Sequence, residues 1–260
     1  MTAHQPRKRF GQNFLESESV IRRIVGAIAP ERGDRVVEIG PGLGALTRPL
    51  LERVDRLDVI ELDRDLAGTL AERLGRPAGL TIHEADALRF DFAELAADAS
   101  LRIVGNLPYN ISTPLMFHLL EQADRSHNGI RDMHFMLQRE VVDRICAEPG
   151  TKAWGRLGVM TQVRAEATRL FTVPPGAFRP PPKVESAIVR LVPRRLDDAE
   201  RALLPALEHV VRAAFAQRRK TLRNTLRGQI DAATMQELGI DPGRRAETLS
   251  LDEFRTLAVR

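Results

Sequence analysis

The stretch that decides the fold runs from residue 35 to residue 53 and reads RVVEIGPGLGALTRPLLER. An apolar β-type run opens it, and Gly40, Gly42 and Gly44 follow at a spacing of two. Residues 45–53 then have the periodicity of a helix. A strand, a glycine turn and a helix in this order indicate a nucleotide-binding α/β protein, because the glycines let a ligand approach the backbone and the helix amides. The turn fits the dinucleotide fingerprint and also the turn of S-adenosylmethionine enzymes, so it leaves the cofactor open.

The pattern continues on both sides of this stretch as strands that alternate with helices. Such alternation predicts an α/β fold, doubly wound, with a mostly parallel sheet covered on both faces. The expected strands are residues 35–39, 57–62, 80–85, 101–107 and 134–137, and the expected helices are residues 17–29, 45–53, 66–74 and 115–120.

The second half of the chain has a different order. A helical pattern at residues 157–167 precedes two β-type runs, 169–173 and 187–192, which flank the proline-dense segment PPGAFRPPPKV. The two runs are close enough to form an antiparallel pair at the end of the sheet. Leucines and alanines then alternate with arginines over several short helices. The expected domains are residues 1–193, which hold the sheet, and residues 194–260, which form a small helical domain.

The composition excludes several classes of protein. With 260 residues, 43% hydrophobic and 28% charged, the chain is unlike disordered or collagen-like proteins and is long enough for an enzyme-sized core. No apolar stretch approaches the roughly 18 residues of a membrane span, and no apolar signal region begins the chain, which predicts a cytoplasmic protein. Cys146 is the only cysteine, which excludes an internal disulfide and a cysteine-rich zinc site, and the six histidines lack the spacing of metal ligands.

The net charge of +4 hides a segregation along the chain. Residues 1–10 carry +3, residues 11–150 carry −7 and residues 151–260 carry +8. The segment 211–230 has no acidic residue, and on a single helix it would turn Phe215 and two leucines toward the core and its cations toward phosphates. A solvated cationic face is the alternative. The RNA-binding candidates are Arg7, Lys8 and Arg9 in the N-terminal arm (residues 1–15) and Arg212, Arg218, Arg219, Lys220, Arg223 and Arg227.

Acidic residues end the two strands that follow the glycine turn. Glu61 lies about twenty residues after the turn, where a carboxylate accepts hydrogen bonds from the hydroxyls of a ribose. Asp86 ends the next strand and could accept from an adenine amino group, although an aspartate there is also typical of a helix N-cap. Nicotinamide dinucleotides and S-adenosylmethionine both contain such a ribose, so these residues do not choose between them.

The choice between these two cofactors depends on the motif Asn106-Leu107-Pro108-Tyr109, at the carboxyl end of the fourth expected strand of the sheet. An exocyclic amine on a base is a poor nucleophile because its lone pair is delocalised into the ring. The Asn106 side-chain oxygen and a neighbouring backbone carbonyl, stiffened by Pro108, could orient both N–H groups of such an amine. Tyr109, the only tyrosine of the chain, could stack on a flipped base. The motif therefore favours methyl transfer to a nucleobase.

Seven segments together resemble the ribosomal RNA adenine N6-dimethyltransferases. They are KRFGQNFL (8–15), VVEIGPGLGALT (36–47), VIELD (59–63), the turn at Asp86, GNLPYNIST (105–113), FMLQREV (135–141) and AFRPPPKVESAIVRL (177–191). The resemblance implies a seven-stranded Rossmann-like class I methyltransferase sheet and S-adenosyl-L-methionine as cofactor. Its closest branch implies the substrate: two adjacent adenosines near the 3′ end of 16S rRNA in the small ribosomal subunit, each dimethylated at N6. We expect the protein to be a monomer. A role in ribosome biogenesis would accompany this activity.

The resemblance also implies roles for matching positions. Asn13 and Leu15 would contact the cofactor, the glycine turn its methionine portion, Glu61 its ribose and Asp86 its adenine. Asn106 would serve both cofactor and target amine. The target base would lie between Tyr109 and Phe178, with Pro180, Pro181 and Pro182 holding Phe178 in place. The residues expected at the reaction are therefore Asn106, Leu107, Pro108, Tyr109 and Phe178, and no metal is expected.

Three other functions share part of this pattern. A large-subunit rRNA methyltransferase of the macrolide-resistance type would have nearly every motif, but the long basic C-terminal segment and FAQRRKTLRN (215–224) favour the small-subunit reaction. A nicotinamide dehydrogenase would share the glycine turn and leave the motif at Asn106 unexplained. A non-catalytic ribosome assembly factor would bind rRNA without using the pocket.

Overall fold

The computed structural model describes residues 13–96, 99–125 and 129–259. In chain order the strands are β1 (Phe14–Leu15), β2 (Arg35–Ile39), β3 (Leu57–Glu61), β4 (Leu80–Glu84), β5 (Leu101–Asn106), β6 (Ile130–Gln138), β7 (Ala165–Val173), β8 (Phe178–Arg179) and β9 (Ser186–Pro193). The helices are α1 (Glu18–Ile28), α2 (Thr47–Leu51), α3 (Arg64–Arg73), α4 (Phe92–Leu95), α5 (Ser112–Arg125), α6 (Arg139–Ile145), α7 (Arg156–Gln162), α8 (Asp198–Ala214), α9 (Leu222–Thr225), α10 (Ala232–Glu237) and α11 (Leu251–Ala258).

A seven-stranded sheet in the order β4-β3-β2-β5-β6-β9-β7 confirms the α/β, doubly wound prediction. Strands β2 to β6 pair in parallel, and β9 pairs antiparallel with β6. The chain moves outward from β2 to β4 and then returns to β5 on the other side of β2. Because crossovers are right-handed, this reversal puts the connecting helices on opposite faces and opens a crevice between the carboxyl ends of β2 and β5. Strand β7 lies beside β9 at the sheet end, where the second-half runs were expected to pair.

The central strands are rich in apolar residues, although β2 contains the buried Glu38 and β3 the buried Asp58 and Glu61. All five residues of β3 are buried, as are Val36 to Ile39 in β2, which fits parallel strands covered on both faces. Helix α1 buries Ile24, Val25 and Ile28 and is capped by Ala29, which has a φ of 47° and precedes Pro30. The strand bounds expected from the sequence agree with β2 to β5 to within one residue at each end.

A buried ion network crosses the amino ends of β5 and β6, opposite the crevice. Arg102 is 5% exposed and binds both carboxylate oxygens of Asp132, at 2.9 and 3.0 Å. The same guanidinium donates to Asp34 at 2.8 Å and to the carbonyls of Ile28 and Ala29 at the end of α1. The network therefore fixes the end of α1 against the sheet at the edge away from the site.

The chain forms two compact units, residues 1–142 with 168–193 and residues 143–167 with 194–260. The sequence interpretation had placed residues 143–167 with the sheet. In the structure Trp154 of this segment is 2% exposed, and its indole N–H donates to the Leu249 carbonyl at 3.0 Å. This contact lies 95 residues away along the chain, so local periodicity could not indicate it.

Two helical expectations in the second half were wrong. The helix expected at 157–167 ends at Gln162, because the chain turns at residues 161–164 and begins β7 at Ala165. The segment 211–230 is the end of α8, a turn and the short helix α9 rather than one helix. Leu222 and Leu226 are nevertheless fully buried, while Phe215 is half-buried with its ring centroid 5.7 Å from that of Phe254.

Within the described ranges, no helix is long and apolar enough to cross a membrane.

Candidate functional site

A cavity of about 340 Å³ lies at the carboxyl ends of β2 to β5, where the strand order reverses. Its volume is within the range of small-molecule sites. The structure brings ten of the predicted site residues to its wall: Asn13, Leu15, Gly40, Gly42, Glu61, Asp86, Asn106, Leu107, Pro108 and Tyr109. Gly44 and Phe178, both in the described chain, do not line it.

The glycine turn needs glycine for two separate reasons. Gly40, Gly42 and Gly44 have φ values of 68°, 57° and 87°, a region that residues with a Cβ rarely adopt. A Cβ on Gly42 would also lie 3.2 Å from the ring of Phe14, and one on Gly44 would lie 3.2 Å from the side chains of Leu70 and Leu74. Gly42 thus lets the N-terminal segment approach the turn, whereas Gly44 lets α3 pack against it.

Glu61 connects the end of β3 to the glycine turn. One carboxylate oxygen accepts from the Gly42 N–H at 3.2 Å and the other from the Asp63 N–H at 2.9 Å. Burial raises the pKa of Glu61, and these backbone donors oppose the rise. The carboxylate is therefore held at the cavity wall by the backbone that follows β2 and the backbone that follows β3.

Glu38 is a site residue that the sequence reasoning missed. It is 2% exposed on β2, lines the cavity, and its Oε2 has no hydrogen-bond partner. Burial, with the nearby charge of Glu61, raises the pKa of Glu38 to about 7. The available signal was its position: an acidic residue in an otherwise apolar buried strand, two residues before Gly40.

Asp86 has a turn contact and also faces the cavity. Its Oδ1 accepts from the Leu88 N–H at 3.0 Å, and its Oδ2 lies 4.0 Å from Nε of Arg89. The contact with Leu88 is a local turn cap; no α-helix begins at this residue. The helix N-cap expectation is therefore wrong, while the expected contact of Asp86 with an adenine stays a prediction that its place in the cavity wall allows.

Asn106 is oriented by the N-terminal segment. Its side-chain NH₂ donates to the Asn13 carbonyl at 3.1 Å, which fixes which side of the amide carries the nitrogen. The amide oxygen remains as an acceptor at the cavity. Asn13 and Asn106 are 93 residues apart in the chain and meet at the end of β5.

Tyr109 is held at both its backbone and its ring. The Ser112 hydroxyl donates to the Tyr109 carbonyl at 3.1 Å, and the Tyr109 and Ser186 hydroxyls share a hydrogen bond of 2.9 Å. Both serines are buried, and Ser186 is 0% exposed. Neither serine is singled out by the sequence. Ser186 lies on β9, 77 residues from Tyr109, so no local pattern relates the two.

Phe178 is not brought to the cavity. It pairs with Leu15 in the two-stranded ribbon of β1 and β8, is 5% exposed and packs in the apolar core. The ribbon brings the proline-dense segment beside the N-terminal segment, but the Phe178 ring itself faces the core.

The cavity wall is acidic. Glu38, Glu61 and Asp86 line it, and no lysine, arginine or histidine is among its lining residues in the described chain. A carboxylate-lined, partly apolar cavity stabilises a bound cation and repels the pyrophosphate of a dinucleotide.

The basic candidates of the second unit fall into two groups. Arg212 hydrogen-bonds His209, and Arg218 pairs with Glu247 at 3.3 Å and donates to the Lys152 carbonyl, so both are engaged within the unit. The other four are exposed and have no side-chain partner in the described residues: Arg219, Lys220, Arg223 and Arg227. Arg7, Lys8 and Arg9 lie outside the described residues.

The doubly wound sheet with β9 antiparallel beside β6, and the acidic cavity behind a glycine turn, define a class I methyltransferase. Residues 3–259 match the model of the family described as ribosomal RNA adenine dimethylase. The chain belongs to this family. It is 59% identical to ribosomal RNA small subunit methyltransferase A of Aromatoleum aromaticum over 98% of this chain and 93% of that protein. It is 56% identical to the protein of the same name from Acinetobacter baylyi over 98% of this chain and 92% of that protein.

Two solved structures share the fold over nearly the whole chain. A dimethyladenosine transferase from Plasmodium falciparum has a TM-score of 0.77 at 23% identity and covers 94% of this chain and 95% of its own. The 23S rRNA methyltransferase ErmE has a TM-score of 0.73 at 27% identity and covers 95% of this chain and 98% of its own.

Proposed function

We propose that this chain transfers methyl groups from S-adenosyl-L-methionine to N6 of two adjacent adenosines near the 3′ end of 16S rRNA, two to each base. The support for the small-subunit substrate is the identity of 56 to 59% with relatives named as small subunit methyltransferases, against 27% with the 23S enzyme. The large-subunit reaction remains the second candidate, since the same fold carries it.

The acidic cavity carries the choice of cofactor. S-adenosylmethionine has a positive sulfonium and ammonium, whereas a nicotinamide dinucleotide has two negative phosphates. The carboxylates of Glu61 and Asp86, with Glu38 ionised only in part near pH 7, and the lack of a basic residue in the described lining suit the first and oppose the second. Glu61 would bind the ribose, Asp86 the adenine, and the backbone of Asn13, Leu15 and the glycine turn the methionine portion.

When bound, the cofactor supplies an electrophilic methyl group, and the protein supplies alignment. Asn106 Oδ1 accepts one N–H of the target amine, because the amide nitrogen is already occupied by the Asn13 carbonyl. The backbone carbonyl oxygen of Leu107, which Pro108 stiffens, would be the second acceptor. With both N–H groups held, the lone pair of N6 points toward the methyl donor.

No side chain needs to act as a general base. The ammonium formed by methylation of N6 is acidic enough to lose its proton to solvent. The face of Tyr109 would stack on the base, which leaves the stack of the rRNA before it reacts. Phe178 would join this stack only after its ring leaves the core position.

The rRNA partner fits the basic second unit, which would contact phosphates by charge and shape. We propose the small subunit or its precursor as the binding partner, a monomer as the acting form, and a role in ribosome biogenesis. The cytoplasm, where small subunits assemble, would then be the location of the protein.

The test of this function is transfer to small subunits that lack these modifications. Mass spectrometry of the rRNA after incubation with the cofactor should give dimethyladenosine at the two adjacent positions. Dimethyladenosine in 23S rRNA alone would favour the large-subunit reaction, and none in either rRNA would contradict methyl transfer.

Asn106→Ala should lower the transfer rate by about 100-fold or more, because it removes an acceptor that acts at the reacting amine. Binding of the subunit, measured separately, should change little, because Asn106 lies in the cavity and not on the basic surface. Equal losses of binding and transfer would count against the proposed role.

A further inference from the structure

The contacts around Tyr109 differ from those of the other residues that line the cavity near Asn106. Its carbonyl accepts from Ser112 at the first position of α5, and its phenol is bonded to Ser186 at the first position of β9. A half-buried tyrosine with a free hydroxyl would rotate between side-chain positions. This one is tied at two points to two different elements.

The sheet explains why Ser186 reaches the site. Ser186 pairs with Gln138 on β6, and Met136 on the same strand pairs with Asn106 on β5. Ser186 thus lies at the end of the sheet that carries Asn106, where its side chain is fully buried and its hydroxyl meets that of Tyr109. The hydroxyl of Tyr109 is hydrogen-bonded to this buried serine, and the ring lies at the cavity, where its face can meet a ligand.

We infer that Ser186 is a positioning residue, which acts through the Tyr109 hydroxyl to hold the tyrosine ring in the orientation that stacks on the target adenine. This inference rests on the proposed function. A ring that is already held in place does not have to be ordered when the base arrives. The entropy cost of ordering it therefore does not add to the activation free energy of methyl transfer. The effect should therefore appear in the methyl-transfer step with bound RNA rather than in RNA affinity.

The test is a double-mutant cycle with Ser186→Ala, Tyr109→Phe and the double variant. Both single variants remove the same hydrogen bond, so each should lower the single-turnover rate at saturating RNA and cofactor by about 5- to 10-fold, and the double variant should be no slower than either. A double variant whose loss is the product of the two single losses would overturn the inference, as would full activity in Ser186→Ala. An inactive wild-type protein would instead contradict the proposed function itself.

A spectroscopic readout separates positioning from stability. Tyr109 is the only tyrosine, so selectively ¹³C-labelled tyrosine gives the ring signals of this residue alone. Ser186→Ala should speed the ring flips of Tyr109 in NMR spectra, and unchanged ring signals with a slower rate would overturn the inference. Thr161→Val is the matched control, because it removes another fully buried hydroxyl outside the site and should leave both rate and ring signals unchanged. If Ser186→Ala fails to fold, Tyr109→Phe, with Ser186 in place, carries the same rate test.

Discussion

Glu38 is the most unfavourably placed ionisable residue of the cavity wall. It is 2% exposed, and an ionised carboxylate there would lack both water and a partner for Oε2. The pKa of Glu38 is about 7 in the folded protein, whereas the ordinary pKa of a solvated glutamate is 4.5. Between these two values the folded chain holds a proton that the unfolded chain has released. The free energy of unfolding therefore falls as the pH rises through this window.

Glu38→Gln should remove this pH dependence, because glutamine stays neutral. The gap between variant and wild type should widen from pH 5 to pH 8 by up to about 3 kcal/mol in favour of the variant. Urea unfolding of the ligand-free protein across this range measures it. Glu52→Gln, at an exposed position, is the control and should keep the wild-type slope. Parallel curves for wild type and Glu38→Gln would show that Glu38 is ionised throughout.

At the residue scale the sequence predicted which motifs meet but not how their side chains are held. Asn106, Tyr109, Glu61 and Asp86 reach one cavity because strand ends of a parallel sheet lie along one edge. The contacts of Asn106 and Tyr109 with Asn13, Ser112 and Ser186 depend on tertiary packing, which no local pattern reports. The core position of Phe178 has the same cause, since it is set by pairing with β1.

At the scale of elements, the Arg102 network joins α1, β5 and β6. Arg102→Met should lower the free energy of unfolding by about 3–5 kcal/mol, because it leaves the buried Asp132 and Asp34 without their main partner. Arg131→Met is the matched control: Arg131 also pairs with Asp34, at 2.9 Å, but is 52% exposed, so its loss should cost no more than about 1 kcal/mol. Urea unfolding compares them. Similar losses for the two variants would contradict a special role for the buried guanidinium.

Some helices and strands are determined by their own sequence, and others by packing against distant residues. Strands β2 to β5 and helix α1 follow from apolar runs and from stop signals such as Pro30, so their bounds could be predicted closely. The end of α7 and the break after α8 could not, because residues 163–165 and 215–221 are compatible with a helix. Their conformation is decided by packing within the second unit, where α8 meets α11.

At the scale of the whole molecule, the acidic and the basic groups belong to different units. The acidic wall belongs to the first unit, and the exposed cluster Arg219, Lys220, Arg223 and Arg227 belongs to the second. Arg219→Gln with Lys220→Gln should weaken binding to the small subunit and reduce its salt slope by about 2, because each substitution leaves about one phosphate without its cation. Binding measured at several salt concentrations gives this slope.

A second double variant provides the control for net charge. Arg53→Gln with Arg56→Gln removes the same two charges from exposed positions of the first unit. We expect its salt slope to match the wild type, because these residues lie outside the basic cluster. Equal effects of the two doubles would mean that RNA responds only to total charge, and the cluster would then be an ordinary solvated face.

The ribbon of β1 and β8 has a consequence for the order in which the protein is made. Domains fold as the chain emerges during synthesis, from the N-terminus onward. Phe14 and Leu15 are among the first residues made, but their partners, Arg179 and Phe178, follow more than 160 residues later. The glycine turn and the parallel strands are complete well before that point. A nascent chain therefore has the glycine turn and the parallel strands that line most of the cavity early in synthesis. The N-terminal segment, whose Asn13 carbonyl orients Asn106, gains its pairing strand β8 only after residue 179 has left the ribosome.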